Sequence, residues 1–246
     1  QTTEAERKSW PPSFNCLGLS PAPRDINSNN KKQLKTEIIE DPHIDLSKDE
    51  ITWQRSDRQV ATTDGTRIDA DNFDIRRASW GADWGPDHPW NKGGPLPYMG
   101  ANAQKGEANA FAFICRHMQR PMEIIVDNQY VQMTFEKNKA IAMSDHPYKE
   151  DALKSQLVNR DHKDAWTTII NACNAKGWDW INVTKVESHV SQEGKEKRSV
   201  LEQRQMAWND EADKLAGAGA EKIKVPAAIR KRASKRVQQS RLVHFM

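Results

Sequence analysis

The chain has few cysteines and no long apolar run, and these absences exclude several classes of protein. Its 246 residues include only Cys16, Cys115 and Cys173, an odd number without the C-x-x-C spacing of zinc or redox motifs. The longest apolar stretch, 110–115, is far shorter than the roughly 20 residues that span a bilayer, and no secretory segment is evident. We therefore expect an intracellular protein of a reducing compartment, with no zinc site, disulfide framework or membrane span. Nucleus, cytoplasm and organelle all stay open.

The composition predicts one globular domain between two segments of different character. With 37% hydrophobic residues, the chain can bury one core of about 150 residues. We expect an extended, proline-rich arm over 1–54, an α/β domain over 55–221 and a basic tail over 222–246. The chain begins at Gln1, so a cleaved presequence and a polyprotein junction are the two alternatives for its origin.

Positive charge is concentrated at the carboxyl end. The net charge is +3, but residues 221–246 contain eight Lys or Arg and one Glu, a net +7, so residues 1–220 carry 3 − 7 = −4. The run 229–236 has the composition of a phosphate-binding segment, a localisation signal or a solvated end, and sequence does not separate these three.

Four acidic residues lie in separate local signatures that run through the whole domain. These are Asp64 in VATTDGT, Glu107 in QKGEANAFAFI, Asp127 in EIIVDNQYV and Asp213 in NDEADKLAG. Asp64 and Asp127 each follow a β-prone run, whereas Glu107 is predicted on the first turn of a helix and Asp213 within another helix. Two strands and two helices can therefore converge on one acidic pocket.

Such a pocket fits a particular chemistry. Phosphodiester hydrolysis needs an activated water and neutralisation of charge at the leaving oxygen, and two Mg²⁺ ions about 4 Å apart supply both. Mg²⁺ prefers oxygen ligands, so three or four carboxylates form a sensible ligand set. The sequence predicts a two-metal nuclease.

The order of the motifs resembles the ribonuclease H type 1 family. The matching pieces are TDG at 63–65, the helix-opening Glu107, D-x-Q-Y-V at 127–131, His189 in the sequence VESH at 186–189, and N-x-x-x-D-x-L-A at 209–216. The resemblance covers roughly residues 55 to 221. It implies an α/β, ribonuclease H-like fold with a mixed central sheet of about five strands flanked by helices.

The expected elements follow from the periodicity of the sequence. Strands are predicted near 58–64, 75–84, 93–99, 122–127 and 180–187. Helices are predicted near 105–118, 128–136, 149–158, 161–176 and 206–219.

The resemblance also implies an activity and roles for particular residues. Family members cut the RNA strand of an RNA/DNA hybrid with two Mg²⁺ ions, for which Mn²⁺ can substitute, and leave a 5′ phosphate. Asp64 would bridge both ions, Asp213 would complete the ion on the water side, and Glu107 with Asp127 would hold the other. His189 would assist proton transfer or product release. Gln104 and Asn128 would make weaker contacts to the substrate. An upstream polymerase domain is an expected partner.

Two features depart from the family pattern. Between His189 and Asp213 lie 23 residues, more than in compact members, although extra loop length has a low entropic cost. A tryptophan- and lysine-rich protrusion used by some members to grip DNA is also missing from 134–160. We therefore expect modest hybrid affinity from this domain alone.

Two other functions compete with hybrid cleavage. A non-catalytic structural subunit of a ribonucleoprotein or other large assembly would keep this fold without its chemistry. A transposase or junction resolvase would share the metal site, but the 127–131 and 209–216 motifs argue against it. Trp80, Trp84 and Trp90 could stack on nucleotides, although packing around a hairpin is the favoured interpretation.

Overall fold

The computed structural model describes residues 54–55, 58–68, 75–97, 101–158, 162–188 and 190–244. The expected arm over 1–54 lies outside these residues except for its last position. His189 lies outside them as well.

A mixed sheet forms the centre of the domain. Its strands are β1 (Gln54–Arg55), β2 (Arg58–Ile68), β3 (Arg77–Asp83), β4 (Lys92–Pro95), β5 (Met122–Val126) and β6 (Ile181–Lys185). Five strands follow the order β4-β3-β2-β5-β6, and the two-residue β1 pairs with β2. The β2-β3-β4 part is antiparallel, whereas β2, β5 and β6 run parallel. The predicted fold class is confirmed.

Seven α-helices surround this sheet in the described part of the chain. They are α1 (Ala103–His117), α2 (Gln129–Met143), α3 (Lys149–Val158), α4 (Lys163–Lys176), α5 (Gln192–Glu196), α6 (Val200–Glu221) and α7 (Ala227–His244). The five predicted helices are all present, but α2 continues seven residues further than expected and α6 begins six residues earlier. The short α5 and the long α7 were not predicted.

The helices form one layer on each face of the sheet, as the side chains of β2 show. Thr62 Oγ1 donates a hydrogen bond to the Trp208 carbonyl oxygen of α6, at 3.1 Å. The next residue, Thr63, donates to Glu107 Oε1 of α1, at 2.6 Å. Because successive strand residues point to opposite faces, α6 covers one face and α1 the other.

A tryptophan cluster packs beside α1. It consists of Trp80, Trp84, Trp90, His88, Phe113 and His117. The Trp84 ring is fully buried and lies 5.8 Å from the rings of both Trp90 and Phe113. Trp80 and Trp90 are also buried, so these rings belong to the core. The packing interpretation of the three tryptophans is confirmed.

The carboxyl-terminal basic segment forms the helix α7. Ala233 and Ile229 on one side of this helix pack against Ile75 and Val225. None of the helices among the described residues combines the length and apolar character that a bilayer-spanning segment requires.

Candidate metal centre

The sheet places two aspartates side by side. Thr62 of β2 is the register partner of Ile125 of β5, and these two strands are parallel. Asp64 and Asp127 each follow two residues later, so they emerge at the same level of neighbouring strands. This placement depends only on the strand register, which the apolar runs of both strands determine.

Two glycines allow α1 to approach this level closely. A Cβ atom on Gly65 would lie 2.2 Å from the Glu107 backbone nitrogen, and one on Gly106 would lie 2.3 Å from the Ser79 carbonyl oxygen. Only glycine is compatible with this contact between helix and sheet, which explains the third residue of TDG.

The close approach brings Glu107 into the site. Glu107 is 1% exposed, and its Oε1 accepts the hydrogen bond from Thr63. The helix begins at Ala103 because the Asn102 side chain caps it by accepting from the Lys105 backbone N–H. Glu107 therefore lies on the second turn, and its predicted place on the first turn was wrong.

Three of the four predicted acids form a compact cluster. One carboxylate oxygen from each of Asp64, Glu107 and Asp127 lies within 4.8 Å of the others. Asp213 approaches from α6 on the opposite face, close enough to Asp64 for its charge to raise the Asp64 pKa. We call these four residues the acidic cluster. Asp64 is its central member, in contact with acids on both sides.

The electrostatics of the acidic cluster favour a bound cation. Burial, and then the charges of Asp127 and Asp213, raise the pKa of Asp64 to about 7. Burial and the charges of Asp127 and Asp64 also raise the pKa of Glu107 well above its ordinary value. Within the described residues, Asp64 Oδ2 and Glu107 Oε2 are buried without a hydrogen-bond partner. Buried carboxylates of this kind need a counter-charge, and a hard divalent cation matches an all-oxygen donor set.

An open cleft of about 1010 Å³ leads from the acidic cluster. Asp64, Asp127 and Asp213 line it, and so do three side chains of α2, Gln129, Met133 and Lys137. These three recur every fourth residue and so share one helix face. Sequence reasoning missed this wall of the cleft, although the i, i+4 spacing directly after Asp127 was a signal for it. Met133 is 61% exposed, which is unusual for a large apolar side chain.

The weaker predicted contacts also line the cleft. Gln104 is exposed on the first turn of α1. Asn128 caps α2, because its Oδ1 accepts from the Tyr130 N–H at 3.0 Å and the Val131 N–H at 3.4 Å. The cap holds the α2 amino terminus beside Asp127. Ser188, the residue before His189, lines the cleft too.

The additional residues before Asp213 are largely helical. They form α5 and the first turns of α6, which starts with a capping box between Ser199 and Glu202. Lys195 Nζ contacts Asp210 Oδ2 of α6 at 3.0 Å, and Arg198 pairs with Glu187 just after β6. Asp210 therefore has a surface ion pair, as expected from its place on another helix face than Asp213.

The strand order, the parallel β2-β5 pair and the helices on both faces are those of the α/β, ribonuclease H-like fold that the sequence predicted. No family model matches the chain, and no curated protein matches it in sequence. Among solved structures, the native prototype foamy virus protease-reverse transcriptase is similar over 73% of this chain and 23% of its own, with 23% identity and a TM-score of 0.48. The solution structure of the PFV RNase H domain is similar over 66% and 93%, with 23% identity and a TM-score of 0.45.

A third similar structure is the foamy viral protease-reverse transcriptase in complex with RNA/DNA hybrid. It covers 73% of this chain and 22% of its own, with 19% identity and a TM-score of 0.46. The chain thus spans less than a quarter of the length of these two protease-reverse transcriptase structures.

Proposed function

We propose that this chain is a ribonuclease H of type 1, a metal-dependent endonuclease that hydrolyses the RNA strand of RNA/DNA hybrids. The observation that carries the proposal is the acidic cluster. Three carboxylates of it lie within 4.8 Å of one another, and two of their buried oxygens lack a hydrogen-bond partner among the described residues. The fourth acid, Asp213, is exposed at the mouth of the same cleft.

The acidic cluster would hold Mg²⁺, with Asp64 shared between Glu107 and Asp127 on one side and Asp213 on the other. When bound, divalent ions supply an activated water and neutralise charge on the scissile phosphate. Thr63 fixes the orientation of Glu107 through its hydroxyl group. His189 is proposed to assist proton transfer or product release from the segment next to Ser188.

The walls of the cleft suit a hybrid substrate. Gln104 and Asn128 border the acidic cluster on two sides, and both carry amide groups that can hydrogen bond to ribose 2′-hydroxyls. Contacts to 2′-hydroxyls are how a protein distinguishes RNA from DNA. The DNA strand would then lie toward α2, where Lys137 adds a positive charge.

A non-catalytic subunit is the weaker alternative. Burying ionisable carboxylates beside one another destabilises a fold, and a scaffold protein would gain stability from replacing them. Their retention in one cleft therefore supports catalysis.

The proposal is tested by cleavage of an end-labelled RNA/DNA hybrid by the full chain, with Mg²⁺, with Mn²⁺ and with EDTA. RNA/RNA and DNA/DNA duplexes serve as matched substrates, and Asp127→Asn as the inactive variant. Asp210→Asn is a control on the exposed face of α6. We expect metal-dependent cutting of the RNA strand alone, lost in Asp127→Asn by about 1,000-fold or more and kept in Asp210→Asn.

No cutting by the folded chain with either metal would support the structural subunit. Cutting only after addition of a polymerase domain would make that domain an obligatory partner. Equal cutting of DNA duplexes would instead favour a transposase-like or resolvase-like substrate.

A further inference from the structure

Helix α7 has a strongly charged exposed side. Residues 227–244 contain six Lys or Arg and neither Asp nor Glu. Three of these cations, Lys231, Arg232 and Lys235, are exposed. At 3.6 residues per turn they fall within an arc of about 100°, so they form one stripe along the helix. We call these three residues the basic stripe.

The opposite side of α7 attaches the helix to the domain. Ala233 is 3% exposed and packs with Ile229 against Ile75 and Val225. Ile75 lies just before β3, at the end of the β2-β3 hairpin. This apolar contact orients the basic stripe away from the domain. The helix is therefore a docked element of the fold with an outward cationic face.

The charge of the remaining chain makes this face important for binding a polyanion. Residues 1–220 carry a net −4, whereas residues 221–246 carry +7. The carboxylates of the acidic cluster are part of this negative charge, and they repel a phosphate backbone in the cleft until divalent ions neutralise them. Without α7 the chain has the same sign of charge as nucleic acid, so attraction over distance must come from the carboxyl-terminal helix.

A duplex is long enough to extend from the acidic cluster as far as α7. Along β2, Asp64 is four residues from Ile68, about 13 Å at 3.3 Å per residue. The 18 residues of α7 extend over about 27 Å. These two lengths add to about 40 Å, which is less than two helical turns of a duplex at about 34 Å each.

We propose that the basic stripe binds the phosphate backbone of the same hybrid that the acidic cluster cuts, outside the cleaved segment. The identity of the partner as a hybrid rests on the proposed function. Lysine and arginine contacts to phosphates carry no sequence information, so the stripe contributes affinity and salt dependence and leaves base preference unchanged.

The test is hybrid binding by the full chain carrying Asp213→Asn, so that the substrate stays intact. A fluorescent hybrid of about 30 base pairs is titrated over a range of KCl concentrations. In one variant Lys231, Arg232 and Lys235 are all changed to Gln, which has a similar helix propensity. In the matched control the charge is kept by Lys231→Arg, Arg232→Lys and Lys235→Arg. Circular dichroism checks that both variants keep their helix content.

We expect the Gln variant to bind at least about tenfold more weakly near 100 mM KCl. The slope of log Kd against log salt should fall in magnitude by about 2 to 3, since each phosphate contact contributes about 0.9. The charge-preserving control should match the parent. An unchanged affinity and slope in the Gln variant would overturn the proposal, as would equal weakening in both variants.

Two further outcomes distinguish phosphate binding by the basic stripe from the nuclease proposal and from membrane binding by α7. If the parent chain cannot cut hybrids yet the Gln variant shows the reduced slope, the nuclease proposal fails and the basic stripe remains a phosphate-binding surface. If the Gln variant keeps its hybrid affinity but loses binding to vesicles containing anionic lipid, α7 is a membrane-surface element and the proposal is wrong.

Discussion

The acidic cluster and the tryptophan cluster use neighbouring parts of the same hairpin and of α1, but their energetics are opposite. The tryptophan cluster buries large rings at contact distance, which stabilises the fold. The acidic cluster buries carboxylates that repel one another, which destabilises it. The comparison shows how a sequence motif that serves packing differs from one that serves chemistry. The side chains of the tryptophan cluster pack against one another. The acidic cluster leaves charged groups that need a cation from outside the chain.

The largest effect on stability should come from adding a methyl group at the contact between α1 and the sheet. Gly65→Ala places a Cβ atom 2.2 Å from the Glu107 nitrogen and 2.3 Å from the Ala103 carbonyl oxygen, both of which are backbone atoms. We expect the free energy of unfolding to fall by about 4 kcal/mol or more, because overpacking here displaces a whole helix. Urea unfolding measures the change.

Two other glycines provide matched controls for this variant. A Cβ atom on Gly94 meets nothing closer than 3.8 Å, and one on Gly217 in α6 meets nothing within 4 Å. Gly217→Ala should raise the free energy of unfolding by about 0.5–1 kcal/mol through helix propensity. A tolerated Gly65→Ala would show that α1 does not approach the sheet as closely as described.

The second-largest effect on the free energy of unfolding is expected in the tryptophan cluster. Trp84→Ala should lower the free energy of unfolding by about 3–5 kcal/mol, since it removes a fully buried ring. Trp84→Phe should have a much smaller effect, because it keeps most of the packing and removes an indole N–H that lacks a partner among the described residues. If Trp84→Ala instead weakened only hybrid binding, the cluster would be a nucleotide-stacking surface.

A third prediction concerns the stability of the acidic cluster itself. The pKa of Asp64 is about 7 in the fold and 3.8 as its ordinary value, so the folded state binds more protons between these values. The free energy of unfolding therefore falls as pH rises from about 4 to 7. Without metal at pH 8, Asp64→Asn should stabilise the protein by on the order of 2 kcal/mol, and with Mg²⁺ it should abolish cleavage. Thermal unfolding of both proteins at pH 5 and pH 8 measures the difference, and an equal pH dependence in both would contradict it.

The smallest effect has the opposite pH dependence and belongs to the tryptophan cluster. Burial lowers the pKa of His88 to about 4 from 6.5, so the unfolded state takes up a proton first as pH falls. Stability is present above the unfolded value and is lost as pH falls from about 6.5 to 4. His88→Asn keeps an acceptor for the Trp90 backbone N–H and should reduce this loss by a degree or two in Tm. No difference from the parent between pH 7 and pH 5 would show that His88 is solvated.

The sequence predicted the fold well where apolar runs determine strands. Asp64 and Asp127 could be placed because each directly follows such a run, and a strand register then aligns them. Glu107 lies one turn later in its helix than predicted, because the Asn102 cap starts the helix at 103, two residues before the predicted start at 105. The early start of α6 had a sequence signal as well, the S-x-x-E capping box from Ser199 to Glu202.

Other features depend on tertiary contacts that local patterns do not contain. Among the described residues, the apolar contacts of helix α7 are made by Ile229 and Ala233, too small an apolar face to stand out among six cations. The cleft wall on α2 is defined by what lies opposite it, so Met133 looks like an ordinary helix residue in the sequence. The distances within the acidic cluster likewise follow from the packing of α1 and α6 on opposite faces of the sheet.

The measurement that tests the central claim most directly is Mn²⁺ binding by the full chain, detected by electron paramagnetic resonance or calorimetry. Asp64→Asn is measured in parallel, and Asp210→Asn is the surface control. The account predicts saturable binding that Asp64→Asn abolishes and Asp210→Asn leaves unchanged. Metal addition should raise Tm in the parent and in Asp210→Asn, and leave it unchanged in Asp64→Asn. Undiminished binding in Asp64→Asn, or none in the parent with or without an RNA/DNA hybrid, would contradict it.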